Sequence, residues 1–367
     1  MLDLFKETNS NLPPISSDDL SDAEVINEIK ALKEKILPKH LILGHHYQSN
    51  QIIQFADEIG DSLALAKKAA SISKPYITFC GVHFMAETAD MLTGDDQQVI
   101  LPDLNAGCSM ADMANREQVD KAWSFFQAST SKKITPITYI NCTASLKAFV
   151  GKNGGAICTS SNAKKIIEWA FKQGEKLLFF PDQHLGRNTC FDMGIPLEEM
   201  VVFNPNMLNG GLTPEQVDKA KVILWYGYCS VHQGFTAEQV NQFKADRPDV
   251  NVIVHPECSF EVVQAAHDAG STSYIIDKIK DAPAGSKFAV GTEINLVNRL
   301  AEQFKDKEVI SLSPYQCLCT TMYRVRPRWL LASLQAIDKD KPINVIRVPK
   351  EIREPSLIAL ERMLSIS

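Results

Sequence analysis

The chain has 367 residues, of which 45% are apolar and 22% charged, and its formal net charge is −6. These values are ordinary for a globular protein of two or three domains, and they argue against a nucleic-acid scaffold, which requires a basic face. Nine cysteines, spread over most of the chain, do not fit the dense disulfide framework of a small secreted domain. No apolar run is long enough to span a bilayer. We therefore expect a cytoplasmic protein with reduced thiols and with no membrane or nucleic-acid partner.

The first forty residues predict an N-terminal extension. Residues 1–21 are polar and turn-rich, and the apolar residues of the next stretch recur with helical spacing, which predicts an amphipathic helix over 22–37. Ten short apolar runs follow, from HLILGHHY at 40–47 to VISLS at 309–313, and helical patterns lie between them. Strands that alternate with helices in this way indicate α/β architecture with parallel sheets covered on both faces.

Three segments of the chain repeat one order of features. Each begins with a strand that ends in polar residues at alternate positions. These pairs are His45 and Tyr47, Tyr139 and Asn141, and His255 and Glu257. Each segment then has a helix, a turn of small polar residues, a second helix, a second strand and a further strand that leads to a cysteine. We therefore predict three pseudo-symmetric three-layer α/β/α domains, with short parallel sheets around a central active site, although a regular α/β domain would show the alternation without a repeat.

The repeat also predicts the domain boundaries. The extension covers 1–40, and the three domains cover 41–112, 113–229 and 230–321. The segment 322–367 is expected to pack on the first domain.

The cysteines at the ends of the three segments are Cys108, Cys229, and Cys317 or Cys319. Ligands of parallel α/β sheets bind beyond the carboxyl ends of the strands, so three domains facing inward would bring one cysteine each to a common centre. Three thiolates suit zinc or a [4Fe–4S] cluster whose fourth iron stays open as a Lewis acid. Because the ligands are about 90–120 residues apart, rather than paired as in structural zinc sites, we favour the cluster.

Two further sets of residues predict binding and acid–base chemistry. The turns at 60–62, 159–162 and 270–273 carry hydroxyls, and helix N-termini there would hold carboxylates or phosphates, although helix capping alone also explains such residues. His255 and Glu257 lie on one side of an extended segment, as general acid–base groups would, and His45 and Tyr47 share this spacing. His83 and His232 also lie near strand ends. The sequence has no dinucleotide-binding or P-loop glycine motif.

The sequence resembles the quinolinate synthase (quinolinate synthetase A) family in stretches from about residue 40 to 325. These stretches include LGHHYQ, LPDLNAGCSMADM, GYCSVHQGF, HPEC, GTEINLVNRL and CTTM. The resemblance implies a threefold α/β fold, one [4Fe–4S] cluster per chain with an open iron, and a role in NAD biosynthesis. It implies that iminoaspartate and dihydroxyacetone phosphate condense to quinolinate with loss of phosphate and two waters. It also implies a functional link to an L-aspartate oxidase or dehydrogenase and to iron–sulfur assembly proteins.

The resemblance assigns roles to twelve positions. The cluster ligands fall on Cys108, Cys229 and Cys319, the last because Met322 follows it by three residues as in the family. The acid–base and substrate-binding residues fall on His45, Tyr47, Tyr139, Asn141, His255 and Glu257. The hydroxyls that hold carboxylate or phosphate fall on Ser62, Ser160 and Thr272. Cys317 and a longer stretch around 183–220 depart from the minimal pattern of the family.

Two other functions stay open from the residues alone. One is a zinc enzyme of the aldolase or hydratase type that uses the same three cysteines. The other is a redox-sensing protein without catalysis, whose cysteines form and break disulfides.

Overall fold

A computed structural model describes residues 20–315 and 317–366. Residues 1–19 of the polar stretch predicted at 1–21 lie outside these ranges. The predicted amphipathic helix is α1, Asp22–Ile36, which begins with a capping box between Ser21 and Glu24 and buries Val25, Ile29 and Ile36.

The strands form three separate sheets. The first sheet contains β1 His40–His45, β2 Glu58–Gly60, β3 Tyr76–Cys80, β4 Gln98–Ile100 and β14 Val345–Ile346. The second contains β5 Ile134–Tyr139, β6 Ala156–Cys158, β7 Lys176–Phe180, β8 Met200–Phe203 and β9 Val222–Trp225. The third contains β10 Asn251–Val254, β11 Asp268–Ala269, β12 Lys287–Gly291 and β13 Glu308–Ser311.

The same strand order recurs in all three sheets. The spatial orders are β14-β4-β3-β1-β2, β6-β5-β7-β9-β8 and β11-β10-β12-β13. In each sheet the first strand of the repeat pairs with the second on one side and the third on the other, and the fourth follows the third. All these pairs are parallel, and only the added pair of β14 with β4 is antiparallel among the described strands. The predicted parallel α/β class is confirmed, and β8 adds a strand within the long stretch at 183–220.

Helices cover the faces of the sheets. Those of the first two thirds are α2 Asn50–Ile53, α3 Ser62–Ser71, α4 His83–Leu92, α5 Arg116–Ser129, α6 Ala144–Lys152, α7 Ala163–Gln173, α8 Gln183–Asp192 and α9 Pro214–Lys219. The others are α10 Ala237–Asp246, α11 Phe260–Ala265, α12 Thr272–Asp281, α13 Ile294–Gln303, α14 Pro327–Asp338 and α15 Lys350–Ile366. None of the described helices combines the length and apolar character that a membrane span needs.

The core is continuous through the first and second sheets but separate in the third. Every residue of β5 and β7 is buried, as expected of strands covered on both faces. In the third sheet, Val252 and Val254 pack on one face with Val240, whereas Ile253 packs on the other with Phe288. This alternation follows from the two-residue period of a strand.

The C-terminal segment contacts two of the sheets. β14 pairs with β4, with Val345 opposite Ile100, and α14 packs against α1. α15 lies along α6 beside the second sheet, so closely that a Cβ at Gly151 would overlap the Pro355 carbonyl. The segment therefore joins the first and second sheets across the outside of the molecule.

Candidate active site

The twelve residues singled out in the sequence all line one cavity. The cavity lies where the carboxyl ends of the strands from all three sheets meet, as the topology of parallel sheets requires. Nonpolar side chains, among them Val82, Phe84 and Val231, complete its wall. His83 has a half-exposed side chain beside Glu87 and is not among the lining residues.

The three cysteines stand in three copies of one local structure. Cys108, Cys229 and Cys319 are each followed by two turn residues and a three-residue 3₁₀ helix. These helices are Ala111–Met113, His232–Gly234 and Met322–Arg324. The carbonyl of each cysteine accepts a hydrogen bond from the N–H four residues later, at 2.9–3.2 Å. The repeated turn gives all three thiols the same orientation relative to the backbone that follows them.

The turn also points backbone donors at each sulfur. The N–H groups of Ala111, His232 and Met322, each three residues after its cysteine, donate to the three sulfur atoms. Burial raises the pKa of the Cys108 thiol to about 12 and raises the pKa values of the other two. Buried thiols stay protonated until a metal displaces the proton, and N–H donors then stabilise the charge on sulfur.

Cys317 does not share this environment. Its carbonyl accepts from Ile294 N–H at 3.2 Å, and its side chain packs with the core of the third sheet next to Cys258. The backbone of Cys319 is instead fixed by a hydrogen bond. Its N–H donates at 3.4 Å to Glu293, a buried carboxyl that also caps α13. Burial raises the pKa of Glu293 to about 7.

Two histidines of the site are fixed as neutral donors. His45 Nδ1 accepts the N–H of Tyr47 at 3.1 Å, and His255 Nδ1 accepts the N–H of Glu257 at 3.3 Å. Burial lowers the pKa of each histidine to about 3. A neutral imidazole that accepts at Nδ1 carries its proton on Nε2. Each ring can therefore donate one hydrogen bond from Nε2.

Glu257 is the centre of a buried hydrogen-bond network. The Tyr139 hydroxyl donates to Oε1, and His232 Nδ1 lies 3.0 Å from Oε2. The His232 ring stacks on His255 with 4.5 Å between ring centroids. Burial opposes ionisation of Glu257, but the positive charge that His255 and His232 carry when protonated, together with the hydrogen bonds from His232 and Tyr139, outweighs it and lowers the pKa of Glu257 to about 2. Glu257 is thus a carboxylate whose lone pairs are already partly engaged.

Tyr47 and Asn141 complete the polar lining. The Tyr47 hydroxyl lies 3.2 Å from Thr272 Oγ1 and 2.9 Å from Thr292 Oγ1. Burial raises the pKa of Tyr47 well above its ordinary value, so the hydroxyl keeps its proton. Asn141 Oδ1 is buried and, within 20–315 and 317–366, has no hydrogen-bond partner. An unpaired buried acceptor is costly and marks a place where a ligand donor fits.

The three hydroxyl-bearing turns meet around Asp61. Ser62 and Thr272 are the first residues of α3 and α12, and Ser160 lies in the turn before α7. Asp61 caps α3 through Ala64 N–H at 2.8 Å. Its Oδ2 accepts from Ser161 Oγ at 2.8 Å and Ser273 Oγ at 2.7 Å, which belong to the other two turns.

Sequence reasoning assigned no role to Asp61, Thr292 and Glu293 and named His232 only as a strand-end histidine. Asp61 has the appearance of an ordinary N-cap residue in the sequence, because nothing there shows which hydroxyls its second oxygen meets. Glu293 follows the third strand of the repeat, at the place where Asp182 stands in the second third, and each of the two residues caps the helix that follows it. That matched position is the one signal that could have singled out Glu293.

Comparisons with known proteins agree with the resemblance seen in the sequence. Residues 27–365 match the family model described as Quinolinate synthetase A protein. The chain is 54% identical over 347 residues to the quinolinate synthase of Anoxybacillus flavithermus, with 94% of each chain covered. It is 52% identical over 368 residues to the quinolinate synthase of Bacillus subtilis, with both chains covered completely. The quinolinate synthase of Bacillus mycoides is 54% identical over 346 residues.

Proposed function

The chain belongs to the quinolinate synthetase A protein family, and from this premise we propose that it is a quinolinate synthase. It condenses iminoaspartate with dihydroxyacetone phosphate and releases quinolinate, phosphate and two waters. The observation that carries the proposal is that three matched cysteine turns, three hydroxyl-bearing turns and the Glu257 network all line one cavity. A substrate pair with two carboxylates, a phosphate and an imine needs these three kinds of group together.

A [4Fe–4S] cluster on Cys108, Cys229 and Cys319 fits the donor set. The three thiols are partly buried, lie in equivalent turns and receive backbone N–H donors, which is the environment that stabilises thiolate ligands of iron–sulfur clusters. With three protein ligands, the cluster supplies one open iron that polarises a bound oxygen or nitrogen.

The hydroxyls of Ser62, Ser160 and Thr272 bind the substrate carboxylates and phosphate. Each stands in a turn after the second strand of its sheet, and the N–H groups at the beginning of α3 and α12 add donors. His45 and His255 donate from Nε2, and Asn141 Oδ1 accepts from a substrate hydroxyl or imine N–H. Three sheets thereby orient one substrate pair from three sides.

Proton transfer is assigned to Glu257, Tyr139 and Tyr47. Glu257 accepts a proton at one of its two oxygens, of which Oε1 is bonded by Tyr139 and Oε2 by His232. The Tyr139 hydroxyl then passes its own proton to the substrate and takes up the proton held on Glu257, so both groups end the step as they began it. The Tyr47 hydroxyl, held by Thr272 and Thr292, faces the same cavity as a donor. The apolar wall excludes bulk water during the dehydrations.

One observation favours a zinc site, but with ligands other than the three cysteines. Cys229, His232 and Glu257 offer ligand atoms that all lie within 4.8 Å of one another, and zinc accepts thiolate, imidazole and carboxylate ligands together. This group contains only one of the three cysteines. It leaves the matched turns at Cys108 and Cys319 without a purpose, so the cluster accounts for more of the site.

The test is anaerobic purification followed by metal analysis, a visible spectrum and a quinolinate assay. We expect about four irons per chain, a broad band near ~400 nm, and quinolinate formed from dihydroxyacetone phosphate and an imine generated in situ. A colourless chain with about one zinc would support the alternative. A metal-free chain whose thiol titre changes on oxidation would support the redox sensor.

The remaining proposals concern the setting of the reaction. The imine comes from an L-aspartate oxidase or dehydrogenase, and iron–sulfur assembly proteins load the cluster in the cytoplasm. The domain boundaries at 40, 112, 229 and 321 stay predictions.

A further inference from the structure

The side chain of Asp61 joins the hydroxyl-bearing turns of all three thirds of the chain. It is buried, with 7% of its surface exposed, and it lies in the cavity wall. Oδ1 binds the N–H of Ala64 in its own helix, and Oδ2 binds Ser161 from the second third and Ser273 from the third. Ser161 and Ser273 are the immediate neighbours of the proposed binding hydroxyls Ser160 and Thr272.

Both oxygens of the carboxylate accept hydrogen bonds in these contacts. Burial opposes its ionisation, but the hydrogen bonds from Ala64, Ser273 and Ser161 outweigh this and lower the pKa of Asp61. Hydrogen bonds to a charged acceptor are about twice as strong as neutral ones and are more sharply directed. Asp61 is therefore a rigid junction between segments that are 100 and 212 residues away in sequence.

A negative charge is unexpected in a cavity that binds anions. The loss of this charge could therefore tighten or weaken substrate binding, and a measurement decides between the two. By charge alone, Asp61 repels the substrate carboxylates and phosphate, so its neutralisation should tighten binding. By position, Asp61 holds Ser62, Ser160 and Thr272 in one arrangement, so its loss should weaken binding. A displacement of about 1 Å in such a site can reduce rates on the order of 100-fold.

We propose that Asp61 is a positioning residue that fixes the three anion-binding turns in register, and that this role outweighs its repulsion of the substrate. The kinetic test of this inference rests on the proposed function, whereas the test by hydrogen exchange does not.

The first measurement is steady-state kinetics of Asp61→Asn as cluster-loaded enzyme, with dihydroxyacetone phosphate varied. Asparagine keeps the size of the side chain and an oxygen for the Ala64 cap, but it replaces the second acceptor oxygen by an amide. We expect KM to rise on the order of 10- to 100-fold, while the visible spectrum is unchanged. An unchanged or lowered KM overturns the proposal, since charge would then dominate.

The second measurement is amide hydrogen exchange of wild type and Asp61→Asn. We expect faster exchange in the turns at 159–162 and 270–273, which lie in the other two thirds. The control is Asn115→Ala, which removes the side-chain acceptor of Gln118 N–H at the beginning of α5 and changes no residue that lines the cavity. It should speed exchange only at the beginning of α5 and leave KM unchanged. If exchange changes only near residue 61, Asp61 acts only as the cap of α3 and the proposal is wrong.

Ser161→Ala combined with Asp61→Asn completes the test. If both residues act through one contact, the double variant should raise KM little more than Asp61→Asn alone, and full additivity would contradict the shared contact. A wild-type enzyme that forms no quinolinate would defeat the proposed function and leave the exchange result to decide the role of Asp61.

Discussion

At the scale of single residues, the cavity is assembled from side chains that lie far apart in the chain, so the role of each can be tested by a single substitution.

The first residue-scale prediction concerns the cysteines. We expect Cys108→Ala, Cys229→Ala and Cys319→Ala each to lose the ~400 nm absorbance of the cluster and the activity, because a ligand is removed. Cys317→Ala is the matched control and should keep both, since its thiol packs with the third core. Iron content and visible spectra of the four variants measure this. A cluster that survives in Cys319→Ala and is lost in Cys317→Ala would reverse the assignment.

The second residue-scale prediction concerns Tyr139. Tyr139→Phe removes the hydroxyl that donates to Glu257 but keeps the ring in the buried strand end. We expect kcat to fall on the order of 100-fold or more, with little change in iron content or Tm. Phe191→Leu, a change outside the cavity, provides a control for altered aromatic packing. A kcat within a factor of about three of wild type would remove Tyr139 from the proton-transfer network.

The positions of these residues could be predicted from the sequence, whereas their partners could not. Strand ends and loop cysteines follow from the pattern, because parallel strands bring their carboxyl ends to one side of a sheet. The partners of Glu257 could not be placed, because Tyr139 is 118 residues away in another third of the chain and His232 lies in a loop 25 residues away. The choice of Cys319 over Cys317 came from the resemblance, and the turn after Cys319 gives it a structural reason.

At the scale of elements, all ten apolar runs became strands, and the shortest strands were missed. β2, β6, β11 and β14 have two or three residues each, too few for a two-residue period to be visible. In the first third, β2 lies between α2 and α3, where the sequence predicts only two helices and the turn at 60–62. The packing of α15 along α6 could not be predicted either, since an amphipathic pattern shows that a face is buried but not against which partner.

The element-scale prediction concerns the contact of α6 with α15. Gly151→Ala places a methyl group where the Pro355 carbonyl lies, so the two helices must move apart and the buried interface opens. We expect a loss of about 1–3 kcal/mol in the free energy of unfolding, seen as a lower Tm. Gly107→Ala is the matched control, because nothing lies within 4 Å of the position that its new Cβ would take. Equal Tm values for the two variants would show that α15 adapts without strain.

At the scale of the whole molecule, five buried histidines make stability depend on pH. Burial lowers the pKa of His40, His45 and His255 to about 3, and of His46 and His184 to about 4. A histidine in the unfolded chain titrates near ~6.5. Between the folded and unfolded pKa values, the unfolded chain therefore binds more protons than the folded chain. The histidines therefore make their full contribution to the free energy of unfolding above about pH 6.5, and this contribution is lost as the pH is lowered.

The whole-molecule prediction uses His40, which is remote from the cavity and lies 2.7 Å from Thr78 Oγ1. Wild type should lose Tm steadily from pH 7 to pH 5. His40→Gln can keep a hydrogen bond to Thr78 without a group that titrates, and it should lose about 2 kcal/mol less over this range. Calorimetry at several pH values compares the two. Parallel Tm curves would mean that His40 gains no proton on unfolding.

β14 can pair with β4 only after nearly the whole chain has been synthesised. At about 5–20 residues per second, the roughly 245 residues between Ile100 and Val345 take on the order of 12–50 s to emerge. During that interval the edge of the first sheet has no neighbour, although the rest of that sheet is complete. An unpaired strand edge is a site of edge-to-edge association, so we expect a chain that ends before residue 345 to associate through β4 more readily than the full chain.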